Sequence, residues 1–322
     1  MSPRLDAIRR VIVAAGLEAI RVIGVDLGGT KILAGAVEGD GTIASRAERP
    51  TPVSSQDDLL AMLDEIVGEL LEAHSDAAAL GFGIPSRIDQ KRGRVVSSTN
   101  LPLADLDFRD RMHERFGVPV GIDNDANAAA IAEWKLGAGR GARDLVMLTL
   151  GTGIGGGLIL DGRPYRGAIG AAGEVGHMVI EHDGPPCFGD CTGRGHLEAL
   201  ASGTAADVRA RELIGPGATS HDLVARGGEG DEASREALAD IGRKLGSGIG
   251  SLINIFDPEL VIVGGGFAAA GELIMGPARE VAAREAVSPS GELARIVPAE
   301  LGEEAGLVGG GFIAFEALDG SA

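Results

Sequence analysis

Two stretches of this chain share one design, and that repeat constrains the fold more than any other feature. "VDLGGTKILAGAV" begins at Val25 and "LTLGTGIGGGLIL" begins at Leu148. Each is typical of a strand, a glycine turn containing a threonine, and a second strand. Gly28 aligns with Gly151, and this separation is too long for a short solenoid period. The sequence therefore predicts two similar domains, each with one such hairpin.

The rest of the chain alternates strand-like runs with helical patterns, which predicts an α/β fold. A 3.6-residue apolar stripe in "SQDDLLAMLDEIVGELLEAH" indicates an amphipathic helix capped by Ser55 and Asp58, and a second helix is expected over Ala233–Phe256. The strand-like runs are Val22–Asp26, Ile32–Val37, Leu80–Ile84, Val118–Ile122, Leu145–Leu150, Gly156–Leu160 and Leu260–Val263.

The formal net charge is −18, which argues against nucleic acid or an anionic membrane as a partner. Phosphates remain possible ligands where glycine loops and a metal supply a local positive field. Basic residues precede a short apolar run near the N-terminus, but Glu18 and Arg21 interrupt it, so we reject a signal peptide. Residues 1–20 are typical of an amphipathic helix without evident chemistry. With only two cysteines, we expect a cytoplasmic protein.

The two glycine turns are candidate phosphate-binding loops. No Walker motif is present, and no G-x-G-x-x-G follows a first strand and opens a helix, so P-loop and Rossmann sites are excluded. A glycine turn between strands presents backbone N–H groups to which phosphate oxygens can come close. Thr30 and Thr152 add hydroxyl donors, and Asp26 is suited to hold Mg²⁺ directly or through water. A single hairpin of this kind would be an ordinary tolerant turn, but two of them favour nucleotide binding.

A second constellation lies in "PVGIDNDANAAAIAEW", where strand residues end in Asp123-Asn124-Asp125 before an alanine-rich helix. Polar residues at the carboxyl end of a strand commonly line ligand sites in α/β folds. Asn and Asp are also ordinary helix N-caps, but a cap needs only one of the three.

These motifs, in this order from about residue 22 to the C-terminus, resemble those of ROK-family sugar kinases, and most of all the bacterial glucokinases. The resemblance implies a two-lobed actin-like ATPase (ribonuclease H-like) fold with a cleft between the lobes. It implies that "DLGGTK" and "LGTGIGGG" contact the ATP phosphates and that "GGG" in "VIVGGGFAAAG" borders the adenosine. Lys31 is equally well interpreted as a solvated strand lysine. The implied cofactor residues are Asp26, Gly28, Gly29, Thr30, Lys31, Gly151, Thr152, Gly153, Gly264, Gly265 and Gly266.

The resemblance also assigns the sugar site. Asp125 falls on the family's catalytic base and Asn124 on a sugar-hydroxyl contact. A carboxylate suits the base because the phosphoryl transition state is loose, so the base must be well aimed rather than strong. The remaining implied sugar contacts are Asn100, Glu174, His177 and Glu198.

Four residues between these elements form a candidate zinc site. His177, Cys187, Cys191 and His196 supply two nitrogens and two sulfurs, a common tetrahedral set. The family pattern is Cys-x-Cys-x₄-Cys after its histidine; here His196 replaces the last cysteine and Cys187 lies two residues early. The alternative is two free thiols and two loop histidines, and His182 is a spare ligand.

The sequence thus predicts an ATP-dependent, Mg²⁺-using glucokinase that closes two lobes on sugar. Its alternatives are a fructose, mannose or N-acetylmannosamine kinase, a polyphosphate-using glucokinase, and a sugar-sensing regulator. We expect one lobe from residues 1–138, completed by a C-terminal helix over 305–322, and a second lobe over 139–304. The resemblance implies a homodimer or homotetramer.

Overall fold

The structure is a computed structural model that describes residues 20–319. The helix predicted for residues 1–20 lies almost entirely outside these residues. The chain forms two compact units. The first unit extends up to Gly141 and also contains Pro164–Ala172 and the chain from Glu303 onward. The second unit contains Ala142–Arg163 and Gly173–Gly302. Within the first unit, segment 164–172 had no signal in the sequence.

The first unit is built on a five-stranded sheet with the order β3-β2-β1-β4-β8. Strands β1, β2 and β3 are antiparallel to one another, whereas β4 and β8 run parallel to β1. A second, three-stranded sheet has the order β5-β6-β7. The strands are β1 Arg21–Leu27, β2 Lys31–Glu38, β3 Ile43–Pro50, β4 Leu80–Ile84, β5 Ser86–Asp89, β6 Arg94–Ser98, β7 Ala104–Leu106 and β8 Val120–Asn124.

Four helices complete this unit: α1 Gln56–Ala73, α2 Phe108–Phe116, α3 Asp125–Lys135 and α10 Ala305–Leu318. The predicted first helix is confirmed: Ser55 caps α1 by accepting from Asp58 N, and its apolar stripe is buried. Helix α10 packs very closely on the sheet, because a Cβ on Gly81 of β4 would lie 2.0 Å from the Gly310 carbonyl oxygen. Only a glycine fits at that crossing.

The second unit repeats the plan with a five-stranded sheet of order β11-β10-β9-β12-β13. Strands β9 and β10 form an antiparallel hairpin, and β12 lies parallel to β9 and β13. The elements are β9 Leu145–Leu150, β10 Ile154–Leu160, β11 Arg163–Pro164, β12 Leu260–Gly264, β13 Arg295–Pro298, α4 Leu197–Ala201, α5 Gly203–Leu213, α6 Ser220–Glu229, α7 Glu232–Phe256, α8 Glu272–Glu285 and α9 Ser290–Leu293. Short 3₁₀ turns span Val175–His177, Gly266–Ala270 and Gly302–Glu304.

All seven predicted strand runs and both predicted helices are confirmed, with ends that shift by a few residues. They were visible because their apolar side chains fill the two cores, as with Val25 in one and Leu148 in the other. The short strands β3, β5, β6, β7, β11 and β13 were missed; half of the side chains of β3, for example, are exposed, so no apolar run marks it. None of the helices between residues 20 and 319 is long and apolar enough to cross a membrane.

Candidate functional site

In the first unit, acidic residues converge at the carboxyl edge of the parallel strands. Asp26 on β1 is in register with Gly83 on β4, which is in register with Asp123 on β8. Strands two apart in a sheet are separated by about 10 Å. The chain then continues from Asp123 to Asp125, the first residue of α3. A Cβ on Gly83 would lie 3.6 Å from the Asp125 Cα, so Gly83 leaves space beside the second acid.

The two acids Asp26 and Asp125 influence each other electrostatically. Burial raises the pKa of Asp26 to about 7, and repulsion by the Asp125 carboxylate raises it further, whereas Lys31 acts in the opposite direction. Like-charged carboxylates near one another are a recurrent property of phosphoryl-transfer and metal sites. Asp26 therefore has the environment of a group whose charge is balanced by a bound cation.

Asn124 and Asp125 occupy the junction between β8 and α3. The Asn124 side-chain oxygen accepts from Ala126 N at 2.9 Å and Asn127 N at 3.4 Å, so Asn124 is the helix N-cap. Its Nδ2 lies 3.5 Å from the Ser86 carbonyl oxygen. Asp125 Oδ1 accepts from Ala126 N at 2.9 Å, in the first turn of α3, where the helix dipole favours a negative charge. One residue thus caps the helix and the next presents a carboxylate.

The first glycine turn joins β1 and β2, with Gly29 and Thr30 exposed. Thr51 closes it: its hydroxyl donates to the Gly28 carbonyl at 2.7 Å, and its N–H donates to the Thr30 carbonyl at 3.0 Å. A Cβ on Gly29 would lie 3.6 Å from the Asn100 Cβ, so Asn100 lies beside this turn.

Lys31 contacts acids rather than open solvent. Its ammonium lies 3.1 Å from Glu303 and 3.4 Å from Glu48. These ion pairs favour the interpretation of Lys31 as a strand lysine over that of a phosphate ligand.

In the second unit, the other two glycine segments lie together. The turn Gly151–Gly153 follows β9, and Gly264–Gly266 follows β12, its parallel neighbour. Gly265 has φ +88°, and a Cβ there would lie 2.4 Å from the Leu150 carbonyl oxygen, so the glycine is required by both conformation and space. The predicted phosphate and adenosine segments of this unit are therefore adjacent, as the resemblance implies.

Glu198 on α4 is held against the same turn. Its Oε2 accepts from Ile154 N at 2.8 Å. A Cβ on Gly153 would lie 2.2 Å from this oxygen. The carboxylate predicted to contact sugar is thus fixed to the loop predicted to contact phosphate.

The four candidate zinc ligands come together. One ligand atom from each of His177, Cys187, Cys191 and His196 lies within 4.8 Å of all the others. The two Nδ1 atoms are 3.2 Å apart, Cys187 Sγ is 3.7 Å from His177 Nδ1, and Cys191 Sγ is 3.6 Å from His196 Nδ1. Zinc with ordinary bond lengths requires edges of about 3.3 Å between nitrogens and about 3.6 Å between nitrogen and sulfur. The set therefore fits a tetrahedral ion.

The surroundings of this cluster connect it to the predicted sugar residues. Cys187 Sγ lies 3.9 Å from Glu198 Oε1, and His177 Nε2, the ring nitrogen outside the cluster, lies 4.0 Å from Glu174 Oε2. Burial and the neighbouring Cys191 raise the pKa of Cys187 to about 12, so a metal must displace the thiol proton on binding. His182, the spare ligand, is not part of the cluster and its side chain is 93% exposed.

Three residues at these positions escaped sequence reasoning. Thr51 and Gly83 carried no signal, because a single threonine or strand glycine is common. Arg166 pairs with Asp123 at 2.6 Å across a long sequence separation, which no local pattern reports.

Comparisons with known proteins agree with this arrangement. The profile of the ROK family matches residues 22–316. Glucokinase from Thermotoga maritima is 36% identical over 319 residues, covering 94% of this chain and 99% of that protein. Glucokinase from Streptomyces coelicolor is 34% identical over 316 residues, covering 91% and 97%. The xylose repressor of Caldicellulosiruptor bescii is 32% identical over 236 residues, covering 69% of this chain and 59% of the repressor.

Solved structures of similar proteins have the same fold. A ROK family glucokinase from Streptomyces griseus, solved with glucose and AMPPNP, superposes with a TM-score of 0.80 at 34% identity, covering 92% of this chain and 99% of that one. A ROK hexokinase from Thermus thermophilus superposes with a TM-score of 0.81 at 33% identity, covering 94% and 100%. A polyphosphate/ATP-glucomannokinase from an Arthrobacter strain gives 0.63 at 29% identity, covering 92% and 99%. The predicted α/β, actin-like ATPase fold class is confirmed.

Proposed function

Because the chain belongs to the ROK family, we propose that it is a sugar kinase that transfers the γ-phosphoryl group of ATP to the 6-hydroxyl of glucose. The observation that carries this proposal is the pairing of Asp26 and Asp125 at one edge of the first sheet, one acid beside a glycine turn and the other at a helix start. The first acid suits the metal–phosphate end of the reaction, and the second suits the alcohol.

Asp125 is the proposed base. The carboxylate accepts the hydroxyl proton as the oxygen attacks, and because the proton leaves late, its aim matters more than its basicity. The first turn of α3 holds one carboxylate oxygen through Ala126 N, which leaves Oδ2 for the sugar. Positioning of this kind accounts for much of the acceleration in phosphoryl transfer.

The glycine turns are the proposed phosphate contacts, with Thr30 and Thr152 as hydroxyl donors. Backbone N–H groups of Gly28, Gly29, Gly151 and Gly153 supply positive ends of dipoles in a chain whose net charge is negative. Asp26 is the proposed partner of Mg²⁺, which when bound neutralises charge on the transferred group. Gly264–Gly266 is the proposed surface for adenosine.

For the sugar, we assign Asn100, Asn124 and Asp125 from the first unit, and Glu174, His177 and Glu198 from the second. Amide and carboxylate groups accept from and donate to neighbouring hydroxyls, and a site built this way discriminates against analogues that lack one. Zinc, when bound by the four-residue cluster, has a structural role: His177 coordinates through Nδ1 and keeps Nε2 toward Glu174. We also propose a homodimer or homotetramer, which analytical ultracentrifugation would measure.

A coupled ADP-release assay across glucose, fructose, mannose and N-acetylmannosamine tests the proposal, with ATP and polyphosphate as alternative donors. We expect the highest kcat/KM for glucose with ATP. Higher turnover with another hexose or with polyphosphate would replace the substrate, and no turnover with sugar binding retained would favour a regulator, as the similarity to a xylose repressor suggests.

Substitution of the base gives a sharper test. Asp125→Asn should lower kcat about hundredfold or more, while calorimetry still detects glucose binding. Asp57→Asn, which changes an exposed first-turn acid of α1 in the same unit, is the matched control and should leave kcat unchanged.

A further inference from the structure

We propose that Arg166 is a positioning residue for Asp125 and that it acts through Asp123. This inference rests on the proposed function, because Asp125 must be the base for its position to matter. Arg166 lies outside every motif that points to nucleotide, sugar or zinc, and Asp123 has no assigned role of its own.

Asp123 is a buried carboxylate with every contact specified. It is 1% exposed. Its Oδ1 accepts from the N–H of Asn124 at 2.8 Å and from Asn127 Nδ2 at 2.9 Å, and its Oδ2 accepts from Arg166 Nε at 2.6 Å. A buried charge that loses its only cationic partner is strongly destabilised, so Arg166 determines whether Asp123 stays ionised in this place.

The two Oδ1 contacts span the base. Asn124 and Asn127 flank Asp125 in the chain, and both are bonded to the same oxygen. Asn124 also caps α3, so its backbone and its side chain are both fixed. The Asp123 carboxylate therefore braces the junction from which the Asp125 side chain projects, and a shift of Asp123 moves the base.

Arg166 is itself held from two sides. While Nε donates to Asp123, Nη2 donates to Glu316 on α10 at 2.6 Å. Its own segment is tied down by two backbone bonds, Ala172 N to the Arg166 carbonyl at 3.2 Å and Gln90 N to the Ile169 carbonyl at 3.2 Å. A planar guanidinium can make both contacts at once, whereas a lysine ammonium is a single point charge. The geometry therefore depends on arginine and not on positive charge alone.

The two arms of Arg166 provide a matched pair of variants. Each arm is a 2.6 Å bond to a largely buried carboxylate, but only the Asp123 arm reaches the base. Asp123→Asn and Glu316→Gln remove one arm each with little change in size. A purely structural role for Arg166 predicts similar effects of both, whereas a positioning role predicts that they differ in kcat.

The experiment measures kcat, KM for ATP and melting temperature of the full chain with the best hexose. We expect Asp123→Asn and Arg166→Gln to lower kcat about tenfold to hundredfold, as a small misplacement of a catalytic group does, with KM for ATP within about twofold of wild type. Glu316→Gln should keep kcat within about twofold even if its melting temperature falls. Arg166→Lys should recover stability more than kcat.

Equal kcat losses in Asp123→Asn and Glu316→Gln, or unchanged kcat in Asp123→Asn, would overturn the positioning role. If Arg166→Gln does not fold, Asp123→Asn and Arg166→Lys still decide between the two outcomes. A wild-type chain without any hexose kinase activity would overturn the proposed function and this inference with it, whereas an active wild type with unaffected variants would overturn the inference alone.

Discussion

The carboxylate of Asp26 lies directly against the backbone of Gly306, in the first turn of α10. A Cβ on Gly306 would come within 2.4 Å of the Asp26 carboxyl carbon. The helix N-terminus favours a negative charge, while burial and Asp125 oppose it by raising the pKa of Asp26. Asp26 is therefore a carboxylate whose position and ionisation are both set by its neighbours, and the first predictions concern it.

Gly306→Ala should displace the Asp26 carboxylate and lower kcat/KM for ATP about tenfold or more, because the new methyl group occupies its place. Alanine itself favours a helix, so the loss should not come from the helix. Gly68→Ala in α1 is the control, since a Cβ there meets nothing within 4 Å. It should keep full activity and gain up to about 1 kcal/mol of stability. Equal activity in the two variants would argue against the displacement.

Asp26→Asn should stabilise the metal-free protein in a pH-dependent way. The folded-state pKa of Asp26 is raised from 3.8 to about 7, so the folded chain holds this proton more tightly than the unfolded chain does. The wild type therefore loses stability as pH rises from about 4 to about 7, and the loss is complete above that. Asparagine removes this titration, so its advantage should grow from near zero at about pH 4 to about 2–4 kcal/mol at about pH 8.

Urea denaturation in EDTA across this pH range measures the difference. An advantage of Asp26→Asn that is constant with pH would contradict the raised pKa. The same variant should lose kinase activity about tenfold or more, because the amide cannot replace a carboxylate toward Mg²⁺.

Gly153→Ala should break the contact between the second glycine turn and Glu198. The added Cβ would lie 2.2 Å from Glu198 Oε2, so the carboxylate must release the Ile154 N–H. We expect kcat/KM to fall for both ATP and glucose, by about tenfold or more, as the turn and the acid move together. Gly228→Ala in α6, where a Cβ meets nothing within 4 Å, should behave like wild type. An effect on ATP alone would separate Glu198 from the sugar.

Elemental analysis of the purified chain should find about one zinc per subunit. Removing one of the four ligands by Cys191→Ser, or extracting the metal with a chelator, should lower the melting temperature and the affinity for glucose, because the loop that carries His177 and Glu198 loses its anchor. His182→Ala, which changes the exposed histidine outside the cluster, should retain the metal. Retention of zinc by Cys191→Ser and loss by His182→Ala would reassign the ligands.

Much of this molecule was readable from local patterns. The apolar periods marked the strands that fill both cores and the long helices α1 and α7, and glycine turns with threonine marked the hairpins. The spacing of Cys187, Cys191 and His196 pointed to a metal site because ligand residues of one ion are commonly close in sequence. The domain boundaries were less accessible, since segment 164–172 packs in the first unit between stretches of the second.

The sequence by itself determined which groups are present: two glycine hairpins, an acid on β1, an acid at the start of α3, and four metal-ligand side chains. Only the tertiary structure decided how each is held: Asp26 against Gly306, Glu198 against Gly153, and Asp123 between Asn127 and Arg166. The physical reason is range. Strand and helix periods, turns and caps depend on residues a few positions apart, whereas burial, charge pairing and close backbone approach depend on residues that meet only when the chain has folded.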